Sequence, residues 1–148
     1  MKYFIITLIA FVFGGCGDTY SIEDKANFDK KIEAYLTENN IECERSTSGM
    51  YYTILEEGTG RDIIYKDIVS FKYKGTFLDG AIFDEQKEPV EFQVRQLIGA
   101  WKEIMLEMKK GSKVFLIAPP FLGYGAHELD AIPPHSILVF DMEVTDIK

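Results

Sequence analysis

The side chains best suited to covalent or metal chemistry are few and poorly spaced for it. Cys43 has no histidine near it in sequence, and His127 and His135 lack the paired spacing of a metal site. The chain has no Cys-x-x-Cys, no His-Glu-x-x-His and no glycine-rich phosphate cradle between a strand and a helix. No acid pair stands apart from the other carboxylates. The spacing therefore predicts no nucleophile, no metal and no cofactor. What remains is an ordered aromatic and apolar set: Tyr73-Lys-Gly-Thr-Phe, Asp79-Gly80-x-x-Phe83-Asp84, Phe92, Leu97-Ile98-x-x-Trp101, Met108-x-x-Gly111, Tyr124-Gly125, Ile132-Pro133-Pro134-His135 and Leu138-x-Phe140-Asp141-x-Glu143. Side chains of this kind can act by excluding water and fixing a geometry, without making a bond.

The elements that must position this set are legible in its periodicities. Gln96 to Gly111 reads as a helix: Leu97, Trp101, Ile104 and Met108 fall on one face, and Ile98, Trp101 and Met105 extend it. Lys109, Lys110 and Gly111 suit its C-terminal end. The rest of the set reads as strand or turn. Met50–Leu55 and Lys113–Ala118 are strands, and Val69–Lys74 alternates so that Val69, Phe71 and Tyr73 share a face. Asp79-Gly80 predicts a type I′ hairpin turn, with Ala81–Asp84 as its return limb and Glu91–Val94 as a separate short strand. A long loop lies between Pro119-Pro120 and Pro133-Pro134. Ile137–Val144, apolar on both faces at its start, reads as a central strand. One lone helix among aromatic strands predicts an α+β domain, a curved antiparallel sheet over the helix with Trp101 near the seam.

In this order and at these intervals the fragments resemble the FKBP-type peptidyl-prolyl cis/trans isomerases, from about Gly49 onward. The resemblance implies a twisted antiparallel sheet of five or six strands around one short helix, acting on proline-containing polypeptides and open to macrolide inhibitors. It implies catalytic roles for Asp84, Tyr124, Trp101 and Phe140. Trp101 would floor the pocket, and Tyr73, Phe83, Val90, Phe92, Leu97, Ile98, Ile132 and Phe140 would wall it. Tyr124 through its hydroxyl and Ile98 through its backbone N–H would bind substrate carbonyls, while Asp84 would orient Tyr73 or polarise the substrate amide. The chain departs from the family in having Val90 where an aromatic is usual and an extra residue in Pro120–Gly123. Its loop from Ala126 to Ala131 is acidic, which predicts a preference for peptides neutral or basic near the proline. A different class of function, a catalytically weak chaperone or scaffold module, would need only the apolar walls.

The remaining sequence sets the context. A length of 148 residues allows one domain of about 100 residues, 49–148, with an appendage. A net charge of −8 without clustered Lys or Arg excludes a nucleic-acid partner. Residues 1–15 have the basic start and short apolar run of a secretory signal. Phe13-Gly14-Gly15-Cys16 resembles a bacterial lipobox, in which Cys16 would be acylated and hold the chain to an envelope membrane, at the periplasmic face or in the outer membrane. Residues 16–20 read as a tether and 21–48 as a helix and linker, with Ser21 and Asp24 as a capping box.

Overall fold

Alternation along Ile68–Thr76 buries Val69, Phe71 and Tyr73 and leaves Lys72 and Lys74 half-buried on the other side. This strand, β3, belongs to a six-stranded antiparallel sheet seen in a computed structural model that describes residues 20–148. The expected signal peptide and Cys16 lie outside the described residues. The other strands are β1 (Glu44–Arg45), β2 (Tyr51–Glu56), β4 (Ile82–Gln93), β5 (Lys113–Ala118) and β6 (Leu138–Ile147), and the spatial order is β1-β2-β5-β6-β3-β4. With β6 paired to both β5 and β3, the strand read as central is central. The twisted sheet and single short helix of the α+β reading are present.

The helix, α2, is shorter than its periodicity suggests, spanning Gly99–Met105 only. A single 3-10 turn over Val94–Gln96 precedes it, and Leu106, Glu107 and Met108 close i→i−3 bonds after it. Such bonds keep side chains three apart on one side, so the apolar spacing runs beyond the α-helix itself. Trp101, Ile104, Met105 and Met108 are all fully buried and pack with Phe71, Leu116, Phe140 and Val144 from the sheet.

Two further readings are corrected. The Phe77–Gly80 turn has one positive φ, Gly80 at 86°, where a type I′ turn needs two. Gly80 N–H donates to the Phe77 carbonyl and Ala81 N–H to Asp79 Oδ1, the pattern of a type I turn closed by a left-handed glycine. The two short strands after it are one, β4, kinked where Phe71 opposes Val90 but Tyr73 opposes Gln86. Lys87, Glu88 and Pro89 bulge out there, and a proline is tolerated because β4 is an edge strand.

The opposite face of the sheet takes α1, Ile22–Glu38, whose capping box of Ser21 and Asp24 forms as read. Ile32 and Leu36 pack on Tyr51, Ile117, Ile137 and Val139. The Tyr51 hydroxyl donates towards Asp29 and Glu33 at 3.2 Å each. Burial first, then those two carboxylates, pushes the Tyr51 phenol from 10.0 up to about 12. The folded chain thus holds this proton after the unfolded chain has released it. The resulting stabilisation is complete below pH 10.0 and is lost as pH rises towards about 12. The melting temperature is expected to fall less steeply above about pH 10 in Tyr51→Phe than in the wild type; equal slopes would exclude Tyr51 as a source.

Candidate active site

In a regular strand, consecutive side chains point to opposite faces, yet Phe83 and Asp84 on β4 are both buried, at 8% and 9% exposure. The register explains it. Gly75 pairs with Asp84 and Thr76 with Ile82, so Phe83 is an extra residue in a bulge that turns both side chains inward. From β3 the Tyr73 hydroxyl reaches across and donates a hydrogen bond to Asp84 Oδ2. The bond fixes the two side chains against each other.

Trp101 lies under this pair and is wholly covered. Its ring meets Tyr73 and Phe140 edge-on at 4.9 Å each and Phe71 at 5.3 Å. Phe83 stands 5.7 Å from Phe140 and 5.0 Å from Phe77. Edge-on packing sets the positive rim of one ring against the negative face of the next. Leu97, Ile98 and Ile132 are buried in the same cluster, and Val90, Phe92 and Tyr124 are half-buried against it. The residues singled out in sequence for the site all belong to the main core cluster or, for Asp84, are hydrogen-bonded to it, with Cys16 alone outside the described residues. Ile98 is the N-cap of α2, so its N–H lies outside the helix's own bonding.

Sequence reasoning passed over Phe71 and Phe77 as site residues, and Gly75 as a requirement. A glycine inside a strand signals close approach by another group, which was the available clue. At Gly75 a Cβ would stand 2.5 Å from Phe83 Cζ and 3.1 Å from Phe140 Cε1.

Two buried donors, Tyr124 Oη and Trp101 Nε1, have no hydrogen-bond partner among the described residues. Burial chiefly, with the Asp84 charge second, holds the Tyr124 phenol far above its ordinary value. Burial, then the hydrogen bond and charge of Asp84, does the same to Tyr73. Both therefore remain neutral donors across the physiological range. No metal-ligating group of three or more His, Cys, Asp or Glu occurs among the described residues. The arrangement offers a neutral donor, a fixed carboxylate and aromatic walls, which can hold and desolvate a polar group bonded to an apolar ring.

The sequence profile described as FKBP-type peptidyl-prolyl cis-trans isomerase matches residues 61–145. The FKBP-type peptidyl-prolyl cis-trans isomerase FkpA of Escherichia coli strain K12 is 41% identical over 129 residues, 85% of this chain and 47% of that protein. The crystal structure of FkpA from Escherichia coli superposes with a TM-score of 0.74 at 37% identity, over 85% of this chain and 62% of that one. A peptidyl-prolyl cis-trans isomerase structure from Pseudomonas syringae pv. tomato gives a TM-score of 0.71 at 27% identity, over 89% of this chain and 99% of that one. The chain spans about half the length of the curated relatives it matches.

Proposed function

Because the chain belongs to the FKBP-type peptidyl-prolyl cis-trans isomerase family, we propose that it catalyses rotation about X-Pro bonds and so assists the folding of exported proteins. The observation that carries this reading is the buried, partnerless Tyr124 hydroxyl among aromatic walls and beside Asp84. Amide resonance sets a barrier of about 18–20 kcal/mol to the unaided rotation. The twisted transition state has lost that resonance and its charge separation, so a site that withholds water favours it over the planar amide. Phe83, Val90, Phe92, Leu97, Ile132 and Phe140 enclose the proline ring. Trp101 lies beneath, reached as the half-buried rim side chains move aside. Tyr124 and the Ile98 N–H hold substrate carbonyls in the twisted geometry, and the Asp84 carboxylate, oriented by Tyr73, faces the amide. No bond to the protein forms or breaks.

The test is the cis-to-trans rate of an Ala-Leu-Pro-Phe-type peptide with the full chain. Acceleration that a macrolide inhibitor blocks is expected, and Tyr124→Phe should lower kcat/KM on the order of tenfold, the worth of one hydrogen bond in a dry site. A folded chain that binds the peptide without accelerating it would be a chaperone or scaffold module instead. Glu128 and Asp130 are exposed in the loop between Tyr124 and Ile132, both of which pack at the site. Peptides basic beside the proline are therefore expected to react faster than acidic ones, and equal rates would refute the preference.

The envelope location rests on residues 1–16. Acylation of Cys16 would hold the domain at a bacterial membrane by burying methylenes at ~0.8 kcal/mol each. No helix among the described residues is long and apolar enough to cross a membrane. The mass of the mature N-terminus tests the anchor, and an unmodified cleavage product would overturn it.

A further inference from the structure

Phe121 takes no part in the site, yet the N-terminal segment closes on it. The Tyr20 ring lies 6.0 Å from Phe121, 5.4 Å from Phe28 of α1 and 5.7 Å, edge-on, from His135. Phe28 is itself 6.4 Å from Phe121, and Lys25 Nζ stands 5.1 Å over the Phe121 ring. The Tyr20 hydroxyl is hydrogen-bonded to His135 Nδ1 at 2.7 Å. On another side Gly49 leaves room for the ring, since an added Cβ there would come within 3.1 Å of Phe121 Cζ, and Phe121 is half-buried.

Phe121 and His135 both connect to the backbone of Tyr124 at one remove. Gly123 and Gly125, on either side of Tyr124, donate to the carbonyl of Pro120, the neighbour of Phe121, at 3.0 and 2.8 Å. The Gly125 carbonyl accepts from His135 N–H at 2.7 Å. His135 holds φ at 60°, left-handed backbone that few non-glycine residues adopt, and Tyr20 binds its ring in that state. Tyr20, Lys25 and Phe28 all lie outside the residues matched to the family, 61–145.

We infer that Tyr20, Lys25 and Phe28 form a brace that, through Phe121 and His135, positions the Tyr124 hydroxyl for catalysis; the inference rests on the isomerase reading. Phe121 and Tyr20 are positioning residues, and their effect passes through Tyr124. Two side chains that act through one hydroxyl do not add.

The experiment measures kcat and KM of the full chain for the Leu-Pro-Phe peptide in the wild type, Phe121→Ala and Tyr20→Ala, and in each of these combined with Tyr124→Phe. Amide hydrogen exchange over residues 120–135 is followed in parallel. Phe121→Ala and Tyr20→Ala should each lower kcat roughly five- to tenfold with little change in KM, as misplacement of one group does. In the Tyr124→Phe background neither should lower it further, and exchange over 120–135 should quicken. If Phe121→Ala fails to fold, Tyr20→Ala carries the same test from outside the sheet. An equal loss in both backgrounds, or an active wild type whose kcat ignores both substitutions, would overturn the brace alone. A wild type without isomerase activity would overturn the function and this role with it.

Discussion

Replacing Asp84 by alanine is expected to lower kcat/KM by a factor on the order of ten to a hundred and to cost about 1–3 kcal/mol of stability. The two losses have different origins. Asp84 accepts the Tyr73 hydroxyl in a place where both residues are almost fully buried, at 9% and 5% exposure. Without the carboxylate that hydroxyl keeps its desolvation cost and loses its bond, which is the stability term. On the proposed mechanism, the rate term would come from removing a carboxylate that faces the substrate amide in a dry site, where electrostatics are screened least. Asp84→Asn separates them, since the amide oxygen can still accept from Tyr73. It should recover most of the stability and only part of the rate. Chemical denaturation and peptide isomerisation on the three proteins check this, and a fully active Asp84→Asn would show that the charge is unused.

Gly75→Ala should do comparable damage from a residue that bears no functional group. The added Cβ would meet Phe83 Cζ at 2.5 Å, Phe83 Cε2 at 2.7 Å and Phe140 Cε1 at 3.1 Å. Contacts under 3.0 Å cannot stand, so the Phe83 ring must swing away. Phe83 cannot move alone, being edge-on to Phe140 at 5.7 Å and next in the bulge to Asp84. Overpacking of this sort costs about 1–3 kcal/mol, and a displaced Asp84 should take kcat/KM down at least tenfold with it. Adding Phe83→Leu should relieve the clash and return stability without returning the rate, because the wall is then missing. A Gly75→Ala protein of unchanged stability and activity would show that the rings yield freely.

The parts of this molecule that were readable in sequence are those fixed by local chemistry. Ser21 and Asp24 announce the start of α1, the alternation of Val69, Phe71 and Tyr73 announces β3, and Lys113–Ala118 has its observed limits. The candidate site residues were reachable through family resemblance because their types and intervals along the chain can be matched without knowing which strands pair. What escaped depends on groups distant in sequence. The Gly75 requirement is created by rings from β4 and β6, and the bulge that turns Asp84 inward exists only in the pairing of two strands. The ends of α2 escaped for a related reason: 3-10 turns mimic helical spacing, so periodicity alone cannot say where the α-helix stops. Strand β1 is two residues long and carries no pattern to read.

The position of β6 has a consequence for how the chain is made. Leu138–Ile147 is the last strand in sequence, yet it lies in the middle of the sheet between β5 and β3. Without it, β1-β2-β5 and β3-β4 have no common partner, and each would present an open edge where β6 binds. Open edges invite pairing with other chains, and contacts that wait on distant residues form slowly. The two halves of the sheet are therefore joined only when the last of the described strands is inserted between them.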